Sequence, residues 1–249
     1  MPIHEVATEE SMLVPADRAT KRAFVRGIFS AIAPRYDLLN HLLSFNIDRG
    51  WRRHAIAALS WRDAPAGTYL DVCAGTLDVA VALAKEAGFR GRVLGADFAE
   101  PMLRAGREKI TARISPVVAD ALELPLPNEC ASGAIVAFGI RNVSDLDVGL
   151  REVYRILDRG ARFVILEFTT PRNPLMRALY HLYFHRLLPV IGGIVSGHRT
   201  AYRYLPASVA QFPGEEELAR RMGAAGFTDV KWTSLSFGIA AIHVGIKSR

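Results

Sequence analysis

The sequence predicts an α/β fold: a mostly parallel sheet with helices on its faces, helices ahead of it, a helical insertion late in the chain and an antiparallel last strand. Three observations predict it. From Thr68 onward, short β-rich runs alternate with amphipathic segments of helix length, the pattern of βαβ units with right-handed crossovers. Three of those runs end in an acid, Asp71, Asp97 and Asp120, and a fourth runs out into Phe138-Gly139-Ile140-Arg141-Asn142. Open α/β sheets bind ligands at the carboxyl ends of their strands, so polar tips on one rim describe a ligand cleft with a second pocket beside it. The final two runs are joined too tightly for a crossover, which makes the last strand antiparallel.

Each element has its own signal. Asp17 to Ala33 is a helix: Asp17 caps it, Phe24, Ile28 and Ile32 share a face, and Pro34 follows its end. Asp37–Leu43 and Asp48–Leu59 are two further helices, the second capped by Asp48. Ala64-Pro65-Ala66-Gly67 is a loop, after which the period switches from 3.6 to short β-rich runs. Strands follow at Thr68–Val72, Arg92–Ala96, Ser115–Ala119, Ala131–Phe138 and Arg162–Phe168. Between them lie helices at Leu77–Ala87, ended by Gly88, at Glu100–Thr111, with Pro101 in its first turn, and at Asp145–Leu157, closed by Asp158-Arg159-Gly160. Pro171–Gly197 is aromatic and aliphatic and predicts a helical insertion. Glu215–Ala225 is an amphipathic helix ended by Gly226, and Phe227–Leu235 and Phe237–Ile246 are the final strands. The chain divides as one domain: a helical cap over 1–63, a core over 64–170, the insertion over 171–211, and a closing helix and strand pair over 212–249.

Composition narrows the function. With 249 residues, half of them hydrophobic, the chain can bury one large core. Cys73 and Cys130 lie far apart with no metal spacing, as buried thiols in a reducing cytosol would. Met1–Glu10 has no apolar core of a secretory signal, and no run of eighteen apolar residues obliges a helix to span a membrane. A cytoplasmic, bacterial protein is expected. The net charge of +6 suits either plain solubility or attraction to an anionic membrane surface. Lys and Arg are dispersed, so no nucleic acid partner is expected. His181 and His185 stand four apart without a third ligand, so no metal is expected either.

The first turn, Val72-Cys73-Ala74-Gly75-Thr76-Leu77-Asp78, has small residues and one glycine; a nicotinamide dinucleotide fingerprint would need GxGxxG there. Asp97, 22 positions after Gly75, could accept the hydroxyls of a ribose or cap the helix opened by Pro101. Asp120, in Asp120-Ala121-Leu122-Glu123-Leu124-Pro125, could accept an exocyclic amine or sit in a solvated turn.

With Phe29-Ser30-Ala31-Ile32-Ala33-Pro34-Arg35-Tyr36-Asp37-Leu38-Leu39-Asn40 near the start, Phe138 to Asn142 in the middle and Tyr202-Arg203-Tyr204-Leu205-Pro206-Ala207-Ser208-Val209 late, the chain resembles the class I methyltransferases. Within them it is similar to the family that adds a carbon-linked methyl group in menaquinone and ubiquinone biosynthesis. The resemblance covers nearly the whole chain. It implies a Rossmann-like, seven-stranded sheet, S-adenosyl-L-methionine as cofactor and a prenylated quinol as substrate, demethylmenaquinol ahead of the ubiquinone precursor. It places Gly75 and Thr76 under the methionine part of the cofactor with Asp71 in support, Asp97 on the ribose, Phe98 and Met102 beside the adenine, and Asp120 and Ala121 at the adenine edge. Arg141 and Asn142 fall near the transferable methyl, Arg141 as an electrostatic donor and Asn142 orienting the quinol oxygen, while Tyr36 closes over the pocket, sealing it or relaying a proton that water can also take. A homodimer and transient membrane contact are further expectations. Leu175 to Val195, with Leu179, Leu182, Tyr183, Leu187 and Val190 as an apolar face, suits either core packing or a lid for a polyprenyl tail. Three positions depart from the family: Leu77 stands where glycine is usual, Cys73 where alanine or glycine is, and Ala137 where a hydroxyl residue is common. Leu77 in the crevice would weaken cofactor binding and leave a catalytically weak scaffold as the rival reading.

Overall fold

The computed structural model describes residues 14–15, 17–37, 44, 46–187 and 199–248. The helix expected over Asp37–Leu43, the stretch 188–198 of the insertion with Val190 and His198, and the side chains of His185 and Tyr202 lie outside the described residues.

Seven strands form one sheet in the order β3-β2-β1-β4-β5-β7-β6. They are β1 Thr68–Val72, β2 Arg92–Asp97, β3 Ile114–Val118, β4 Ala131–Ala137, β5 Leu157–Phe168, β6 Phe227–Leu235 and β7 Ala240–Lys247. The first five are parallel, and β7 runs antiparallel to both β5 and β6, as the tight final connection requires. Side chains alternate across the pleat. Tyr69, Ile135 and Val164 enter one apolar layer with Trp51 and Ile56 of α2 (Ile47–Ala58) and Leu83 of α3 (Asp78–Ala84). Leu70, Val136 and Phe163 enter the other. There they meet Leu150 of α5 (Leu146–Ile156) and Met222 of α8 (Glu215–Ala224). α4 (Glu100–Ala105) lies between β2 and β3. The parallel register sets Asp71 beside Gly95 and Asp97 beside Val118, so the acid tips gather at one edge.

Ahead of the sheet, α1 (Arg18–Ile32) is capped as expected: Thr20 N–H donates to the Asp17 carboxylate at 3.0 Å. The late helices are α6 (Pro174–Leu182), which continues as a π-helical turn over Tyr183–Leu187, and α7 (Arg199–Gln211). Asn173 caps α6, accepting from Leu175 N at 3.0 Å and Met176 N at 3.2 Å.

Four local expectations are corrected. Asp48 does not cap α2; Asn46, in the left-handed region, precedes the helix, and Asp48 sits buried in its first turn. Leu77 precedes α3 rather than opening it, because its φ of 70° is not helical, and α3 stops at Ala84. Asp158-Arg159-Gly160 belongs to β5 instead of a helix-ending turn, with an irregularity in the β4 pairing there. Phe237 is not in the last strand: it lies at φ 60° in the turn Ser236–Gly238 and is 81% exposed.

Candidate active site

The turn after β1 makes a cleft at the sheet's carboxyl edge. Cys73, Gly75 and Leu77 all take positive φ, at 53°, 54° and 70°, which folds the chain back sharply before α3. At Gly75 the backbone is what selects glycine: an added Cβ would meet nothing closer than Met102 Cε at 3.4 Å and Tyr36 Cε1 at 3.8 Å. Asp97 holds the turn closed. Its Oδ2 accepts from Gly75 N–H and its Oδ1 from Ala99 N–H, each at 2.8 Å. The Asp97 carboxyl therefore ties two loops together from the cleft wall, and its bond from Ala99 N–H is the local one that the cap reading expected. Burial raises its pKa, against the two backbone bonds that lower it. Asp71 lies behind the wall, accepting from Ala80 N–H at 3.0 Å, and burial pushes its carboxyl up to about 8.

Of the eight residues expected around the cofactor, Gly75, Asp97, Phe98, Met102, Asp120 and Ala121 line this cleft. Asp71 and Thr76 do not; Thr76 is buried, and its hydroxyl donates to the Asp37 carboxylate. Asp120 accepts from Leu122 N–H at 3.0 Å and pairs with Arg22 Nε at 3.0 Å. Arg22 is one of three basic side chains by which α1 clasps the rim. Arg18 pairs with Asp145, and Lys21 Nζ donates to the carbonyls of Arg141 at 3.2 Å and Val143 at 2.8 Å. Burial drives the Cys73 thiol well above its ordinary pKa, and Asp97, Asp71, Asp120 and Glu167 each add to the rise.

A second cavity, of about 340 Å³, adjoins the first. It is walled by apolar side chains, among them Ile28, Trp51, Phe168 and Leu205, and it shares Phe29, Tyr36 and Phe138 with the cleft. The strand-four signature divides between the two. Asn142 faces the cleft, its Oδ1 accepting from Tyr204 O–H at 3.1 Å, while Arg141 lines the apolar cavity. Tyr204, carried by α7, has its phenol pushed up to about 12 by burial. Arg141 is held on three sides: Nη1 donates to Glu167 Oε1 at 2.8 Å and to the Phe138 carbonyl, and Nε donates to Ser208 Oγ at 3.2 Å. Glu167 is fully buried, and burial raises its pKa despite the guanidinium beside it. Tyr36 stands on the wall common to both spaces and packs edge-on against Phe29.

Sequence reasoning missed Glu167, Tyr204, Lys21 and the acid–base pair Asp48–Arg52 on the apolar wall. Glu167 carried a signal, an acid inside the apolar run Ile165-Leu166-Glu167-Phe168. Leu77 is settled: it is fully buried in the layer under α3 and does not line the cleft. Ala137 does line it. Among the described residues, His54, His181 and His243 line neither space. His243 is buried and bonds the Glu215 carbonyl at 2.9 Å, and His54 bonds the Gly50 carbonyl at 2.8 Å. Among the described residues no group of three His, Cys, Asp or Glu side chains could hold a metal ion.

The insertion is no plain core element. Leu179 and Tyr183 line the apolar cavity, yet Leu175, Leu179, Leu182 and Leu187 are 69%, 52%, 55% and 47% exposed. Ile47, on the cavity wall, and Phe237, beside the lining residue Ser236, are exposed as well.

Residues 17–247 match the model of the ubiE/COQ5 methyltransferase family. The chain is 48% identical over 221 residues to a demethylmenaquinone methyltransferase of Thermus thermophilus, covering 88% of this chain and 99% of that protein. It is 45% identical over 228 residues to the ubiquinone/menaquinone biosynthesis C-methyltransferase UbiE of Geobacter sulfurreducens, covering 90% and 88%. A Deinococcus radiodurans demethylmenaquinone methyltransferase matches at 43% identity over 243 residues, covering 96% and 99%. Among solved structures, a SAM-dependent methyltransferase from Thermotoga maritima superposes with a TM-score of 0.65 at 21% identity, covering 90% of this chain and all of that one.

Proposed function

Because the chain belongs to the ubiE/COQ5 methyltransferase family, we propose that it methylates a ring carbon of demethylmenaquinol with S-adenosyl-L-methionine as methyl donor. The observation that carries this reading is the pair of adjoining spaces: an acid-floored cleft at the strand tips and a long apolar cavity, sharing one wall at Phe29, Tyr36 and Phe138.

The cleft fits the donor. Gly75 gives the close backbone turn that a methionine part needs, Asp97 and Asp120 offer acceptors at the tips of β2 and β3, and Phe98 and Met102 supply apolar faces for a purine. The bound donor supplies an activated methyl group, so the protein is left with position and electrostatics. Orientation of well-aligned reactants is worth about 7–11 kcal/mol.

The apolar cavity fits a naphthoquinol ring with the start of a polyprenyl tail, and its rim at Ile47 and Leu179 is half exposed. A ring carbon becomes nucleophilic as a neighbouring hydroxyl loses its proton. Arg141 stays protonated and cannot take that proton. It stands on the wall as a fixed donor that stabilises the developing phenolate, with Asn142 orienting the oxygen from the cleft side and Tyr36 sealing the joint. Preorganised donors of this kind are worth about 2.7–4 kcal/mol. Glu167 neutralises the Arg141 pair, which puts the effect at the lower end, about 100-fold in turnover.

The same exposed leucines, with Phe237, form an apolar face near the cavity mouth that suits shallow, reversible docking on an anionic membrane, where a prenylated quinol resides. Among the described residues no helix is long and apolar enough to cross a membrane. The rival reading of a weak cofactor-binding scaffold drew its support from Leu77, and that side chain is in the core.

Quinone profiling by mass spectrometry after deletion of the gene tests the assignment. Accumulation of a precursor lighter by one methylene is expected; an unchanged quinone pool would refute it. In vitro, Arg141→Ala with intact donor binding should lose about 100-fold in turnover, and undiminished turnover would remove Arg141 from the chemistry.

A further inference from the structure

We propose that Asp48 is the group that takes the proton from the quinol hydroxyl. The inference rests on the quinol reading above and supplies the step that reading leaves open. A base for that step must be on the wall of the apolar cavity. Arg141 is excluded as a guanidinium. Glu167 is turned away: its Oε1 accepts from Arg141 Nη1 at 2.8 Å and from Phe168 N–H at 2.9 Å, and it lines neither space. Asp97 and Asp120 belong to the other cleft. Among the described residues, Asp48 is the acid on the apolar wall, and it is 3% exposed.

Its surroundings hold it in place for that task. Asp48 sits in the first turn of α2, where the helix N-terminus favours a carboxylate. Ser44 O–H donates to its Oδ1 at 2.6 Å. Arg52, one turn on, stands 3.4 Å from its Oδ2 but 2.9 Å from Asp78 Oδ2, so the guanidinium leans to Asp78. Asp78 in turn pairs with Lys109 at 2.6 Å, and Lys109 also holds Asp37. Burial would lower the Lys109 pKa, yet its bonds to Asp37 and Asp78 hold it above the ordinary value. Among the described residues, groups that face Asp48 include Ser44 and Arg52 directly, Asp78 and Lys109 behind Arg52, and Tyr36 and Arg141 from other walls of the same cavity.

The step balances. The quinol O–H bond breaks, its proton forms a new O–H bond on the Asp48 carboxylate, and the electron pair stays on the quinol oxygen, from which it is delocalised to the ring carbon. With the donor bound, that carbon would take its methyl as the S–CH3 bond breaks and the bonding pair stays on sulfur as a neutral thioether; the carbon would then shed its hydrogen to solvent as a proton, while Asp48 returns its own proton to the oxygen. One proton is released per methyl transferred.

The test uses the purified full chain, a short-tailed 2-desmethyl naphthoquinol under anaerobic conditions, and the variants Asp48→Asn and Asp48→Glu. General-base catalysis is worth about 10²–10⁴-fold, so Asp48→Asn should lose at least 100-fold in kcat, with donor affinity and thermal melt preserved. Its kcat/KM should lose the wild-type acid limb and climb tenfold per pH unit as the quinol ionises in solvent; Asp48→Glu should keep the limb and recover part of the rate. A second readout needs no turnover: without donor, naphtholate absorbance of bound quinol should appear at higher pH on the wild type than on Asp48→Asn, because the ionised carboxylate beside the oxygen opposes a second negative charge. Turnover of Asp48→Asn near the wild-type level, or the same pH profile in both, overturns the proposal while leaving the quinol reading intact. A wild type that methylates no naphthoquinol overturns the quinol reading, and this inference with it. Should Asp48→Asn fail to fold, the wild-type absorbance titration decides: a hydroxyl that titrates as it does free in buffer overturns the role.

Discussion

Leu77 and Gly95 form a pair whose energies can be worked out from the structure. Leu77 has φ 70° and no exposed surface. Its Cδ2 occupies the space that a side chain at Gly95 would fill, since an added Cβ there would lie only 2.3 Å from it. Replacing Leu77 by Gly removes a buried leucine, at about 2.7–5.0 kcal/mol by analogy with Leu→Ala in cores. It also relieves a left-handed backbone worth about 1–2 kcal/mol. The burial term wins, and Leu77→Gly should destabilise by about 1–4 kcal/mol. Gly95→Ala overpacks the buried Leu77 side chain, at about 1–3 kcal/mol, against about 0.5–1 kcal/mol gained by replacing a strand glycine. In the double variant the clash is absent, so the Gly95→Ala step turns favourable by about 0.5–1 kcal/mol. The cycle predicts a coupling of about 1–3 kcal/mol between the two sites. Urea unfolding of the four proteins measures it. Additivity within about 0.5 kcal/mol would refute the packing argument, and with it the reason Leu77 spares the cleft. Calorimetry with S-adenosyl-L-methionine on Leu77→Gly is the companion measurement, and the expected result is unchanged affinity, because Leu77 does not line the cleft.

Two other predictions follow from burial and exposure. The folded pKa of Asp71, about 8, lies above its ordinary 3.8, so its contribution to stability is full below the ordinary value and drains as pH rises towards 8. That drain is at most about 6 kcal/mol; Asp71→Asn, which keeps an acceptor for Ala80 N–H, should flatten the stability–pH curve, and a variant several kcal/mol less stable than wild type at pH 8 would contradict this. Vesicles containing anionic lipid should pellet the protein at low salt, with release on raising salt across the range where the Debye length falls from about 10 Å to about 3 Å. Leu175, Leu182 and Phe237 replaced together by Ser should abolish pelleting, and equal pelleting of that variant would remove the docking face.

The sheet was legible because its signals are local. A central parallel strand such as β1 or β4 is buried on both faces and reads as an apolar run, and the acids at Asp71, Asp97 and Asp120 fall at or next to the carboxyl ends of β1, β2 and β3. What stayed hidden depends on partners distant in sequence. Leu77 looked like an obstruction because a branched residue beside a glycine turn has two directions open to it, and only Gly95, 18 positions on and across the α3–β2 layer, shows which one is taken. Asp48 looked like a cap because an acid near a helix start satisfies that rule whichever way it faces; Asn46 in the left-handed region shifts the helix start, and the side chain turns inward to Ser44 and Arg52. Arg141 announced itself beside Asn142, but Glu167, 26 residues later, changes its chemistry. An arginine alone on an apolar wall would be a bare cation; one locked to a buried carboxylate is a neutral pair with a directed donor. A guanidinium accepts no proton in either case, so the demand for an acceptor falls on another side chain of the same cavity, Asp48 of α2, where the sequence had offered only a cap.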